Sequence, residues 1–328
     1  MRKRRLEPQA YIDGVLAGDR ILLSRAITLI ESSLPSDQLL ARQVVDACMP
    51  HTGRSFRAGI TGVPGVGKST FIDAFGTYLT RQGHRVAVLA VDPSSQLSKG
   101  SILGDKTRME RLSHDPGAYI RPSPAGGSLG GVALKTRETL LLCEAAGFDV
   151  VLVETVGVGQ SETAVRQMVD FFLLLMLPNA GDDLQGIKKG IMEMADAIAI
   201  NKADGAFMPK ARQARTYYTS ALRLFQPAAS NWRPEVLLCS AVQDQGMDAI
   251  WTLMETFRVQ LTENGHWLRN RETQALAWMH DTLRQQLETY FFDHPAIREA
   301  LPRIEAEVRH NQRSPLDAAR RLLDLWQA

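Results

Sequence analysis

Between residues 56 and 239 short apolar runs alternate with stretches whose apolar positions recur every three or four residues. The runs at 56–61, 85–91, 118–121, 149–154, 171–177, 196–200 and 235–239 predict strands. Helical spacing between most of them predicts crossover connections, since parallel strands cannot be joined by tight hairpins. Strands without strict alternation are strands buried on both faces. The expected fold class is therefore α/β, a three-layer α/β/α arrangement around a mostly parallel sheet.

Helical extensions flank this region. Ile12, Val15 and Leu16, then Leu22, Leu23, Ala26, Ile27 and Ile30, then Leu39, Leu40, Val44 and Val45 have helix spacing. Asp19 and Ser36 are the expected caps of the second and third helices, with Pro35 marking the break between them. After about residue 264 the strand signal stops. Leu276, Met279, Leu283 and Leu287, then Ile297, Leu301, Ile304 and Val308, then Leu316, Ala319, Leu322 and Leu323 define helix faces. The expected organisation is an N-terminal helical extension over 1–50, a central domain over 51–262 and a C-terminal helical region over 263–328. This last region is too short for a large core of its own and must pack on the domain or on a second copy of itself. The stretch 117–131, rich in Gly, Pro and Ser, reads as a surface loop.

One loop carries chemistry. Gly62-Val63-Pro64-Gly65-Val66-Gly67-Lys68-Ser69-Thr70 satisfies G-x-x-x-x-G-K-[ST] between an expected strand and an expected helix. Glycines let backbone N–H groups turn inward around a polyphosphate, and a helix N-terminus adds favourable dipole charge. Lys68 supplies a cation for the β/γ-phosphates and Ser69 a hydroxyl for Mg²⁺. Asn201-Lys202-Ala203-Asp204 follows the strand at 196–200. In N-K-x-D the carboxylate accepts from the ring N–H and exocyclic amine of guanine, and adenine lacks both donors. Asn201 meets the base edge, the Lys202 stem covers it, and Ser240, Ala241 and Val242, after the last strand, are placed to support it. Glu154-Thr155-Val156-Gly157 ends the strand at 149–154, where many GTPases have D-x-x-G. Glu154 there reaches Mg²⁺ through water or is an exposed acid at a strand end, Gly157 senses the γ-phosphate, and Gln160 can orient the attacking water. Asp92, after the second strand, and Asp105 are further acids that can reach the metal's outer shell or a catalytic water; each can instead be a cap or turn former, a reading of equal weight for Asp105. The loop 181–190, GDDLQGIKKG, is either a switch that meets a partner or a solvated connection.

Composition narrows the setting. The 328 residues are 45% hydrophobic and 23% charged with a net charge of +2, an ordinary globular balance without an electrostatic case for nucleic acid. The run Arg2-Lys3-Arg4-Arg5 reads as a solvated terminus, and no apolar signal segment follows it. The longest apolar run, Phe171 to Leu177, is too short to span a membrane. Cys48, Cys143 and Cys239 stand far apart, without metal-ligand spacing, as small core residues of a reducing compartment. A cytoplasmic protein is expected.

The motifs GVPGVGKST at 62–70, VDPSS at 91–95, GDKTRM at 104–109, ETVGVGQSE at 154–162, GDDLQGIKKG at 181–190 and NKADG at 201–205 resemble those of the P-loop GTPases associated with methylmalonyl-CoA mutase, the MeaB/ArgK/MMAA type. The likeness covers roughly residues 8–328. It implies a P-loop NTPase fold, GTP and GDP as ligands with Mg²⁺, and a homodimer. It also implies a partner, an adenosylcobalamin-dependent methylmalonyl-CoA mutase whose cofactor loading is gated and whose activity is protected or restored. Asp92, Asp105 and Glu154 match the family's magnesium and switch acids. The 181–190 loop matches its third switch, where Gln185 and Lys188 couple the partner to hydrolysis. Two rivals share the loop. A nickel metallochaperone needs a His/Cys ligand set, against which the isolated cysteines and the scattered His51, His84 and His114 argue. A P-loop kinase needs a phosphoacceptor on a protein substrate.

Overall fold

Among the described residues seven strands, all parallel, form one sheet in the order β3-β2-β4-β1-β5-β6-β7. The computed structural model describes residues 5–91, 109–122, 129–155, 161–178, 189–225 and 230–327. In chain order, helices Pro8–Leu16 (α1), Arg20–Glu31 (α2) and Pro35–Cys48 (α3) precede strand Phe56–Gly62 (β1) and helix Lys68–Arg81 (α4). Strand Val86–Val91 (β2), the short helix Glu110–Ser113 (α5), strand Ala118–Arg121 (β3) and helix Leu129–Ala145 (α6) come next. Strand Val150–Thr155 (β4), helix Ser161–Arg166 (α7), strand Phe171–Met176 (β5), helix Lys189–Met194 (α8) and strand Ala197–Ile200 (β6) follow. Helix Met208–Leu222 (α9), strand Glu235–Leu238 (β7) and helix Met247–Glu263 (α10) complete the sheet and its cover, before helices His266–Asp293 (α11), Pro295–Arg309 (α12) and Pro315–Gln327 (α13).

The seven strands are those expected from the apolar runs, and the three-layer α/β/α class holds. Strands β2, β4, β5 and β6 are buried along their whole length, which is why they read as continuous apolar runs. The two faces are still distinct along β5. Phe171, Leu173 and Leu175 join Phe71 and Phe75 of α4 and Trp251, Met254 and Phe257 of α10. Leu174 and Met176 turn the other way, to Ala211, Ala214 and Tyr218 of α9.

At Asp149 and Asp196 the strand begins one residue later than the apolar run suggests, for a reason that Asp170, just before β5, shares. Asp149, Asp170 and Asp196 stand just before β4, β5 and β6, and each uses a carboxylate oxygen to accept a backbone N–H at the start of the neighbouring strand. Asp149 takes Arg85 N at 2.6 Å, Asp170 takes Arg57 N at 2.9 Å, and Asp196 takes Phe172 N at 2.8 Å. A parallel ladder leaves such donors at its edge, and an unmet buried N–H is costly. Arginines complete this edge: Arg166 pairs with Asp196 at 2.7 Å, Arg57 with Glu144 at 2.7 Å, and Arg271, from the first turns of α11, with Asp170 at 2.7 Å. The Arg271 guanidinium carbon sits over the Trp267 ring, 4.9 Å from its centre, and Trp267 in turn stacks on Phe56 of β1.

The N-terminal helices pack on the β3 side. Ser24 of α2 meets the Tyr119 hydroxyl at 3.1 Å, Glu31 pairs with Arg121, and the Lys135 ammonium of α6 donates to the Glu31 carbonyl at 2.7 Å. Asp19 caps α2 as expected, accepting from Ile21 N and Leu22 N. Ser36 does not cap α3. The helix begins at Pro35 itself, whose fixed φ suits a first helical position, and Leu34 is the residue before it. The buried face of α3 is Asp37, Ala41, Val44, Val45 and Cys48, leaving Leu39 exposed; Asp37 is accommodated by Arg5 and the Ser32 hydroxyl. The stretch 117–131 is not all loop: β3 and the first turn of α6 occupy its ends.

The chain divides into two compact units, Met1–Glu272 and Thr273–Ala328. The second has its own small core of Ile297, Ile304, Ala318 and Leu322, with Phe291 edge-on to Trp326. Here Ala318 and Leu322 are buried while Leu316 and Leu323 are exposed, so the inward face of α13 is rotated from the one the sequence spacing suggests.

Replacing Asp170 by Ala removes the partner of a largely buried guanidinium and the acceptor of Arg57 N. The expected cost is about 3 kcal/mol of unfolding free energy, read from chemical denaturation, with nucleotide affinity retained by the folded fraction.

Candidate nucleotide site

The C-terminal ends of β1, β4, β6 and β7 bring the sequence motifs together. Between β1 and α4, Gly62 to Gly67 form the loop. A Cβ at Gly62 would lie 2.5 Å from the Leu175 carbonyl oxygen, and Gly67 adopts φ 89° with Asn201 Nδ2 only 3.1 Å from where a Cβ would be. Those two positions need glycine, one for space and one for conformation. Val66 is fully buried and roots the loop in the core, whereas Pro64, Gly65 and Thr70 are exposed and Val63 half-buried. Lys68 Nζ donates to the Gly62 carbonyl at 2.9 Å, folding back over the loop. Burial lowers the Lys68 pKa, and the charges of Glu154 and Glu162 oppose that shift.

Ser69 and Glu154 meet directly, the hydroxyl donating to Glu154 Oε1 at 3.1 Å. Glu154 is buried, only 3% exposed, at the end of β4, so it is not an exposed acid at a strand end. A hydroxyl and a carboxylate side by side are hard oxygen donors of the kind Mg²⁺ takes, with phosphates and water completing the shell. These two residues fit the ion. Beside them Thr155 donates its hydroxyl to Thr61 at 2.9 Å, locking β4 to β1 at the mouth of the site.

The base side is held by Asn201. Its carboxamide Nδ2 donates to the Val66 carbonyl at 2.9 Å and its Oδ1 accepts Ala241 N at 3.1 Å, with the Cys239 thiol 3.8 Å away. A single buried side chain thereby ties the phosphate loop, β6 and the loop after β7. Lys202, in the left-handed region at φ 60°, donates Nζ to the Gly65 carbonyl at 2.9 Å, laying its stem between the two loops. Asp204 accepts the Ser240 hydroxyl, which aims the carboxylate. Ser240 and Ala241 are buried and Val242 is 80% exposed.

Asp92, Asp105, Gly157, Gln160, Gln185 and Lys188 lie outside the described residues. Sequence reasoning passed over Glu162, a carboxylate 3% exposed at the start of α7 whose charge reaches Lys68. Its only sequence signal was its place closing the run ETVGVGQSE. The structural role of Asn201 was also hidden, since its partners are distant in sequence. Among the described residues no group of three or more His, Cys, Asp or Glu side chains can hold a metal, which leaves a nickel-type ligand set without support there. All three cysteines are free and buried. No helix of the described residues is long and apolar enough to cross a membrane.

A glycine loop at the end of β1, a buried acid on its serine and N-K-x-D beside it define the P-loop GTPase class. Residues 23–296 match the model of the methylmalonyl Co-A mutase-associated GTPase MeaB family, and the chain belongs to that family. It is 48% identical to the GTPase ArgK of Escherichia coli, over 94% of each chain. It is 45% identical to the mitochondrial methylmalonic aciduria type A homolog of Mus musculus, over 98% of this chain and 80% of that one. A crystal structure of a LAO/AO transport system kinase superposes with a TM-score of 0.77 at 39% identity, covering 99% of this chain and all of the other. The protein is a GTPase that binds guanine nucleotide.

Asn201→Asp replaces the donor facing the Val66 carbonyl with a second acceptor. GDP affinity is expected to fall by about tenfold or more, measured by titration with a fluorescent GDP analogue.

Proposed function

We propose that this GTPase serves an adenosylcobalamin-dependent methylmalonyl-CoA mutase as a nucleotide-gated chaperone, controlling cofactor loading and protecting or restoring the mutase. The observation that carries the reading is the family match over residues 23–296, to a family whose name is mutase-associated. The likeness to the methylmalonic aciduria type A homolog adds to it.

At the site, the loop amides and the Lys68 ammonium hold the β- and γ-phosphates, and stabilise charge as the γ-phosphoryl group leaves. Ser69 and Glu154 would hold Mg²⁺, with Asp92 and Asp105 as further acids for its shell, and the ion would supply charge neutralisation at the phosphate oxygens. Gly157 meets the γ-phosphate. Asp204 reads the ring N–H and amine of guanine, held in place by Ser240, while Asn201, Lys202, Ala241 and Val242 form the rest of the base pocket. Gln185 and Lys188 couple the bound partner to hydrolysis. The nucleotide state then times delivery of the cofactor, because only binding energy that differs between the two states can shift the partner. A cytoplasmic setting follows from the same reading.

The protein acts as a homodimer in this proposal, built on the helical unit Thr273–Ala328. What supports it is the face of α11 formed by Leu276, Met279, Leu283, Leu287 and Tyr290, all about half exposed or more at intervals of three and four residues. A second copy offers the same stripe in a self-complementary arrangement.

Two outcomes are expected. Purified protein turns over GTP slowly and ATP hardly at all, and the mutase accelerates the GTP reaction. Lys68→Ala abolishes that acceleration, while GTP turnover indifferent to the mutase would remove the partner and keep the GTPase. Label appearing on a protein rather than as free phosphate would instead favour phosphotransfer. For the dimer, Leu283→Glu is expected to give monomers in sedimentation analysis with intrinsic GTP turnover kept.

A further inference from the structure

Arg111, in the short helix α5, reaches two carboxylates on different elements. Its Nε donates to Asp73 Oδ2 at 2.8 Å, and its Nη1 donates to both oxygens of Asp244, at 3.0 and 2.7 Å. Asp73 lies in α4, within two turns of Lys68, and its other oxygen accepts Leu112 N at 2.9 Å. The Leu112 side chain and Met109 sit in the main core, so the base of the arginine is fixed. Asp73 is 7% exposed, which makes it the firm end of the bridge.

Asp244 is the other end. It belongs to a tight turn closed by paired backbone bonds between Ser240 and Gln245, 3.0 Å in each direction, and takes φ 52° there. The left-handed conformation is uncommon outside glycine and asks for a restraint. Ser240, the first residue of the turn, gives its hydroxyl to Asp204 and accepts Gln243 N at 3.3 Å. An unbroken line of contacts therefore runs from the helix after the phosphate loop to the base-reading carboxylate: Asp73, Arg111, Asp244, the turn, Ser240, Asp204. A planar guanidinium can serve two carboxylates in fixed geometry, which an ammonium cannot.

We propose that Arg111 is a positioning residue for guanine selectivity, holding the 240–245 turn, and through it Asp204, in the place that distinguishes guanine from other bases. The inference rests on the reading of Asp204 as the guanine receptor. It differs from a general stabilising role in what it predicts for the base. Guanine offers Asp204 two donors and hypoxanthine only the ring N–H, so a displaced Asp204 loses more with GDP than with IDP.

The test is competitive binding of GDP and IDP to the full chain and to two variants, Arg111→Ala and Asp244→Asn, the second keeping a residue that tolerates the left-handed conformation. Each variant is expected to lower the GDP-to-IDP preference by about two- to fivefold, and the double variant to lower it no further than the stronger single one. Equal loss for both nucleotides, or an unchanged preference in Asp244→Asn, overturns the proposal; if Arg111→Ala does not fold, Asp244→Asn decides alone. Absence of any GDP-to-IDP preference in the unaltered protein would instead overturn the reading of Asp204, and the proposal with it.

Discussion

Parallel strands can be joined only by returning the chain across a face of the sheet, and this constraint arranges everything else in the central unit. The described returns contain helix, so both faces become apolar interior, and all the strand ends lie on the same edge. Strand β1 lies between β4 and β5, and the chain leaves it toward β2 on one side but arrives at β5 on the other. Loops on either side of such a reversal diverge and leave a crevice. The glycine loop fills the floor of that crevice, and Glu154, Asn201, Asp204 and Ser240 reach it from neighbouring strand ends because those ends are already there.

The two edges of the sheet have opposite chemistry for the same reason. At the strand starts, polar groups are used up on the fold: Asp149, Asp170 and Asp196 each accept a neighbour's N–H, and Arg57, Arg166 and Arg271 neutralise the acids around them. At the strand ends the polar groups are paired with one another and with carbonyls of the glycine loop. Lys68 is bonded to a carbonyl, a weak partner that a phosphate oxygen can replace. Asn201 also binds loops to one another there, its carboxamide bonded to backbone on two sides.

The strands were legible because burial on both faces leaves a run of apolar residues that little else produces, and the phosphate loop because its spacing is long and its context checkable. N-K-x-D was legible only as a motif. That Asn201 reaches Val66, 135 positions earlier, has no periodicity to reveal it. The same holds for Arg111 with Asp244, 133 positions apart, and for Arg271 with Asp170, 101 apart. Charged residues on helices look alike in sequence whether they meet water or a buried carboxylate. Misplaced helix faces, Leu39 on α3 and Leu316 on α13, arise because a stripe of leucines can be shifted by one or two residues without breaking the helical period. Glu162 was lost for a related reason: an acid in a first helical turn is common, and burial alone marks this one.

The interior also makes the chain chemically quiet. Cys48, Cys143 and Cys239 are each at most 2% exposed, and burial raises the pKa of every one, Cys239 to about 12. A thiol that stays protonated and covered is a poor nucleophile toward disulfides, peroxides or alkylating reagents. Cys239 sits against Asn201, the residue that joins the nucleotide loops, yet it is as covered as the other two. A single thiol placed at an exposed position such as Val242 would therefore be the one accessible thiol for a spectroscopic label.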